Sequence, residues 1–123
     1  LVIHGKKFIE INYDYYINDI KLAILLSLIG RYEESMLDYK QALKYYDKSF
    51  RIMKYAYNEF LFNKNITFIL DCLARVHFKM CHYEKALKTY KKCNRLLKNI
   101  HANNLNNYDI CLNYKNIGLV LYE

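Results

Sequence analysis

The chain has 123 residues, of which 54% are hydrophobic and 14 are Tyr, and it carries a formal net charge of +7. That length supports one modest core, and that apolar content excludes a disordered chain. With no Pro and only three Gly, the sequence lacks the turn residues a sheet protein needs, so long helices with few connections are expected.

Residues Leu1 to Ile11 read as the tail of an earlier helix. Asn12-Tyr13-Asp14 offers an N-cap, because Asn and Asp side chains accept from the open amides of a helix start. The helix after it, expected over about 13–28, carries Ile17, Ile20, Leu22, Ile24, Leu25 and Leu28 on more than one face, as a helix packed on both sides does. Its longest apolar stretch, Leu22 to Ile29, is interrupted by Ser27 and falls far short of the ~20 residues that cross a bilayer. Gly30 can take φ > 0 and is expected to close a turn. A second helix then begins near Tyr32, with Tyr32, Ser35, Tyr39, Ala42 and Leu43 along one face. No breaker stops it before about Phe62, so it is either one long helix or two segments bent near Asp47–Phe50. The next helices are expected over about 65–80 and from Tyr83 to about Ile100. His101 to Asn106, rich in Asn, is the clearest loop. Asn107-Tyr108-Asp109 mirrors Asn12-Tyr13-Asp14 and opens a last helix over about 108–122.

The chain repeats itself. Tyr32, Glu33, Ser35, Tyr39 and Ala42 return 51 residues later as Tyr83, Glu84, Ala86, Tyr90 and Cys93. Ile17, Leu22 and Ala23 match Phe68, Leu73 and Ala74 at the same spacing, and Leu112, Ile117 and Gly118 at a spacing of 95. The division this suggests is one helical domain: a first helix pair over about 13–62, a second over about 64–100, and the opening helix of a third over about 108–122. Because the chain begins at Leu1 and stops at Glu123 within an apolar pattern, we expect it to be a section of a longer protein.

Little in the sequence points to chemistry. Gly5, Gly30 and Gly118 are isolated, so no phosphate-binding loop is present, and the three Ser and two Thr stand in no nucleophile elbow. The neighbouring carboxylates Asp14 and Asp19 could be read as a pair, as could Glu33 and Glu34; the repeat places Glu33–Glu34 on a solvated first turn, where acids favour the helix dipole. The cysteines Cys72, Cys81, Cys93 and Cys111 form no CxxC pair and read as reduced thiols. His77, Cys81 and His82 lie close in sequence, but a zinc site needs four converging ligands, and His77 falls where an aromatic packs. The expectation is no catalytic activity, no metal, no cofactor and no small-molecule substrate. Lys40, Lys44, Lys48, Arg51 and Lys54 form one basic stripe. Lys85, Lys88, Lys92 and Arg95, with Lys91 and Lys98 beside them, form another. Such stripes read first as solvated faces of a Lys-rich protein and otherwise suit an acidic partner, nucleic acid or an anionic membrane; the absence of a groove or stacking platform counts against nucleic acid.

Together these residues resemble the tetratricopeptide repeat, a helix pair with a large residue at position 4, Leu-Gly at 7 and 8, an aromatic at 11, Gly at 15, Tyr at 17, Ala at 20, an aromatic at 24 and Ala at 27. On the alignment above, Leu22, Ala23, Gly30, Tyr32, Ser35, Tyr39 and Ala42 stand at positions 7, 8, 15, 17, 20, 24 and 27 of a first copy. Leu70, Leu73, Ala74, Tyr83, Ala86, Tyr90 and Cys93 stand at 4, 7, 8, 17, 20, 24 and 27 of a second. Tyr114, Ile117 and Gly118 start a third at 4, 7 and 8. The usual Pro is missing, and the spacings of 51 and then 44 exceed the family's 34, in which the chain is similar to the lengthened repeats of kinesin light chain adaptors.

The resemblance implies an all-α, antiparallel helix-pair solenoid of about two and a half repeats, with Ala23, Gly30, Tyr32, Ser35, Tyr39, Ala42, Leu73, Ala74, Tyr83, Ala86, Tyr90, Cys93 and Gly118 as packing positions. It implies a cytoplasmic scaffold or adaptor that binds a peptide or helix of another protein in a groove lined by first helices. Those groove positions are Ile17, Ile20, Ile24, Phe68, Asp71, Arg75, Phe78, Lys79, Leu112, Lys115 and Leu119, with a basic middle. The two-carboxylate clamp of chaperone-binding members is absent, since Ile20, Ile24, Cys72, Leu112 and Asn116 stand where it needs Lys, Asn and Arg. The alternatives are a structural section of a cytoskeletal, motor or ciliary solenoid, self-associating through open repeat ends, and binding of an acidic partner or nucleic acid by the basic helices.

Overall fold

The computed structural model of the chain describes residues 5–6, 20–57 and 64–123. Five helices fill most of this: α1 (Ile20–Ser35), α2 (Tyr39–Tyr57), α3 (Lys64–Lys79), α4 (Tyr83–Ile100) and α5 (Tyr108–Tyr122). The protein is all-α, with no strand among the described residues. It divides into two compact units, residues 1–60 and 61–123. The first holds the hairpin α1/α2, and the second the hairpin α3/α4 with α5 packed on α4. The last three helices lie within a residue or so of their expected bounds.

The first hairpin departs from expectation. Gly30 closes no turn; it is a buried residue inside α1. The turn comes at residues 36–38, and the second helix starts at Tyr39, not Tyr32. It then runs unbroken through Asp47–Phe50 to Tyr57. Tyr32 and Ser35, expected to pack, are exposed, and Tyr39 is only half-buried. Glu33 and Glu34, expected on a solvated first turn, are buried near the end of α1. Ile17 and the Asn12-Tyr13-Asp14 cap, with residues 1–4 and 7–11 before it, lie outside the described residues.

The two turns are built alike, atom for atom, at a spacing of 44 residues. In the first, the amides of Met36, Leu37 and Asp38 donate to the carbonyls of Tyr32, Glu34 and Glu33 at 3.1, 3.0 and 2.9 Å. In the second, Met80, Cys81 and His82 donate to Val76, Phe78 and His77 at 3.0, 2.9 and 2.8 Å. These are the bonds that close a helix end through a residue in the left-handed region, a place that favours Gly. Here Leu37 and Cys81 occupy it, each at φ 63°.

The cores repeat at the same spacing. Ser49 Oγ donates to the Ala23 carbonyl at 2.7 Å, and Cys93 Sγ to the Thr67 carbonyl at 3.4 Å. Tyr46, fully buried, lies against Gly30 so closely that a Cβ there would meet its ring at 2.7 Å. Its hydroxyl donates to Glu34 Oε1 at 2.8 Å, which is how a carboxylate is accommodated in the core. Lys6 pairs with the other buried acid, Glu33, and that hydrogen bond raises the Lys6 pKa. The matching residue to Tyr46 in the second unit is Tyr90, clustered with Ala74, Ala86 and Val120. The space-filling role expected of Tyr39 therefore belongs to Tyr46, and Ala42 corresponds to Ala86, with Ser49 corresponding to Cys93.

These positions fix the sign of two substitutions. Leu37→Gly removes a left-handed non-glycine and should stabilise the chain by about 1 kcal/mol. Gly30→Ala drives a methyl into the Tyr46 ring and should destabilise it by about 1–3 kcal/mol. Urea unfolding of both variants checks this; a Leu37→Gly loss would place that residue inside a helix instead.

Candidate functional site

In the second unit α3 and α5 form two walls over α4. Near the N-terminal end of α3 the walls enclose a cleft of about 390 Å3, lined by Lys64, Thr67, Phe68, Asp71, Cys93, Leu97, Asp109, Leu112 and Asn113. Beside it lies a second of about 310 Å3, lined by Asp71, Arg75, Phe78, Tyr90, Leu112, Asn116, Leu119 and Val120. Asp71 and Leu112 line both, so the two are compartments of one groove. Each is within the size range of a site that takes a few side chains.

The sequence sets this shape residue by residue. On α5, at about 100° per residue, Ile110, Asn113, Ile117 and Val120 share the stripe that packs on α4, while Leu112, Asn116 and Leu119 share the stripe on the groove side. Asn113 holds the wall in place: Asn94 Nδ2 donates to its Oδ1 at 2.8 Å, and its own Nδ2 donates to the Tyr90 carbonyl at 3.1 Å. Both Asn are buried, and each would leave an unsatisfied amide if the other were removed. At the start of α5 the Asn107 side chain accepts from the Asp109 amide at 2.8 Å. Asp109 Oδ2 lies 3.8 Å from His101 Nε2.

The groove is balanced in charge, not basic. Arg75 contacts Asp71 at 3.4 Å, and the Asn116 amide donates to Asp71 at 3.4 Å, so the central carboxylate is held from both walls. Lys64 and Asp109 add one charge of each sign. Of the groove positions that the family resemblance implies, Phe68, Asp71, Arg75, Phe78, Leu112 and Leu119 line these clefts. Lys79 and Lys115, expected to supply its positive charge, are exposed and line neither cleft. Ile20 and Ile24 belong to the first unit. Lys64, Leu97, Asp109, Asn113 and Asn116 were not foreseen; the sequence signal for Asn113 is an amide standing on the apolar stripe of α5.

The groups at the groove floor, Cys93 and Tyr90, are buried. Burial pushes the Cys93 thiol up to about 12, with Asp71 and Asp109 adding to it, and burial likewise raises Tyr90. Among the described residues no group of three or more His, Cys, Asp or Glu converges to hold a metal, and no helix is long and apolar enough to cross a membrane. His77 and His82 stand with ring centroids 5.7 Å apart beside the α3–α4 turn. Compared with protein-family models and with curated proteins, the sequence matches none.

Thiol reactivity should follow this division. In the folded chain iodoacetamide at pH 8 should modify the exposed Cys81 and Cys111 and spare the buried Cys72 and Cys93 until denaturant is added. Peptide mapping by mass spectrometry reads this directly, and rapid native labelling of Cys93 would contradict its placement.

Proposed function

We propose that the chain is a non-enzymatic protein-interaction module of tetratricopeptide type, which holds a peptide or helical segment of another protein in the α3–α5 groove. The structural spacing of 44 improves the resemblance to that family. Leu26, Leu70 and Tyr114 now share position 4; Ile29, Leu73 and Ile117 share 7; Gly30, Ala74 and Gly118 share 8. Tyr39 and Tyr83 share 17, Ala42 and Ala86 share 20, and Tyr46 and Tyr90 share 24. Position 15, where the family has Gly, is the left-handed Leu37 and Cys81.

One observation carries the assignment of the groove. Ile24, Phe68 and Leu112 occupy the same place in three successive first helices, and each is exposed, at 44%, 45% and 37%. An apolar residue left partly in the open three times over suits an apolar anchor on a partner. Phe68 and Leu112 face the same cleft, above Leu97. The bound segment would seat an apolar side chain there and set groups of either charge beside Lys64, Asp71, Arg75 and Asp109.

A second reading draws on the outer faces. Lys44, Lys48, Arg51 and Lys54 recur at the spacing of 44 as Lys88, Lys92, Arg95 and Lys98. Four cations kept in register suit an acidic partner, although several also serve the fold: Lys48, Lys54 and Lys98 lie 5.9, 5.9 and 5.2 Å from the rings of Tyr45, Phe50 and Tyr114.

Peptides selected by display against the immobilised chain separate the two. Under the groove reading, Leu112→Lys should weaken their binding at least about tenfold, since an apolar anchor is worth more than ~1.4 kcal/mol, with the helical circular dichroism signal unchanged. Lys79→Glu should leave binding intact. Loss with Lys88→Glu and retention with Leu112→Lys would favour the basic face.

A further inference from the structure

The face that α5 turns to the helix before it includes Asn113 and Ile117, which pack on α4. At twice the spacing of 44, the matching residues of α1 are Leu25 and Ile29. In the first unit their cover comes from the chain's own Gly5 and Lys6. A Cβ on Gly5 would lie 3.4 Å from Ile29 Cδ1 and 3.5 Å from Leu25 Cδ1, so the backbone there rests directly on both side chains. One turn further along α1, the Lys6 ammonium pairs with the buried Glu33 carboxylate. The same ammonium lies 5.7 Å from the ring centre of the buried Tyr45 on α2, so one side chain ties the segment to both helices of the hairpin.

We propose that Gly5–Lys6 is a strap, latched by the Lys6–Glu33 pair, that covers this face of α1 and lifts from it while the α1/α2 hairpin stays folded. The charge pair decides the docking, because Gly5 brings no side chain to bury. The two adjacent acids at the end of α1 divide the roles. Glu34 is bonded from within the hairpin by the Tyr46 hydroxyl, a contact that needs no strap. Glu33 is different: among the described residues its carboxylate bonds to Lys6 alone. A carboxylate held in an apolar setting needs such a partner, and removing one member of the pair costs far more than a surface ion pair would. With the strap lifted, Leu25, Ile29 and Glu33 are uncovered together, so the latch controls access to the same face that α5 gives to a neighbouring helix. The strap lies wholly in the first unit and stands or falls apart from the reading of the α3–α5 groove.

Trypsin reads the strap, since a bond in a docked segment is cut when the segment opens. In the full chain, Glu33→Gln should speed cleavage after Lys7 at least about tenfold, with cleavage after Arg51 in α2 unchanged. Lys6→Glu should leave the strap open, and adding Glu33→Lys, which restores the pair in reverse, should slow cleavage after Lys7 by a similar factor. The face beneath is read by Leu25→Cys, with peptide mapping to separate it from the native cysteines. Iodoacetamide should label position 25 slowly in the latched chain, and at least about tenfold faster once Glu33→Gln is added. Equal acceleration after Arg51 would show that Glu33 holds the hairpin itself and not the strap. That result, cleavage after Lys7 indifferent to Glu33→Gln, a charge swap that restores nothing, or labelling at position 25 unmoved by Glu33→Gln would each overturn the proposal.

Discussion

Close approach of two helices at a residue with little or no side chain sets the terms for the rest of this molecule. Gly30 lets the Tyr46 ring lie directly on the α1 backbone, and once the ring is there Ser49 comes within reach of the Ala23 carbonyl and the Tyr46 hydroxyl within reach of Glu34. The second hairpin reaches the same result with slightly larger parts. Ala74 and Ala86 flank Tyr90, and a thiol at Cys93 replaces the hydroxyl of Ser49. The Ser49 hydroxyl and the Cys93 thiol survive in these cores because the short distance between helix axes gives each a carbonyl acceptor on the facing helix.

That packing also explains why a chain with no Pro and few Gly can turn so sharply. Each hairpin forces a left-handed residue at its tip, and Leu37 and Cys81 adopt it without the help of glycine. The strain, about 1–2 kcal/mol per site, is offset by burial of the seam behind it. In the second unit the seam is extended by α5, which is docked by Asn113 as much as by apolar contact. The buried amide pair specifies the rotation of α5 about its own axis, and with it which stripe walls the groove and which is left open.

Helix type and number and the loop after α4 were legible from periodicity and turn residues; the six expected groove positions that line the α3–α5 clefts came from the family resemblance, not from periodicity. The register of the first hairpin was not legible. Reading Tyr32-Glu33 against Tyr83-Glu84 moves the first copy seven residues from its place, and seven residues are two helical turns. The amphipathic pattern is therefore nearly unchanged by the error, and Gly30 in the middle of α1 imitates a turn signal that Leu37, at the true turn, does not give. The same shift hid the recurrence of Ile24, Phe68 and Leu112 and that of the four-cation stripe. Groove charge was misjudged for a different reason: Lys79 and Lys115 stand on the right helices, but Lys64 and Asp109, at the helix starts, are the charges that the cleft collects.

Like positions recur at a spacing of 44, and the contact between Gly30 and Tyr46 is where that spacing differs most from the alternative of 51. Nuclear Overhauser spectroscopy of the labelled chain measures it. Cross-peaks from the Gly30 α protons to the Tyr46 ring are expected, with helical carbon shifts at Gly30 and a left-handed backbone at Leu37. A left-handed Gly30 with no cross-peak to Tyr46, in a helix that ends there, would contradict that spacing.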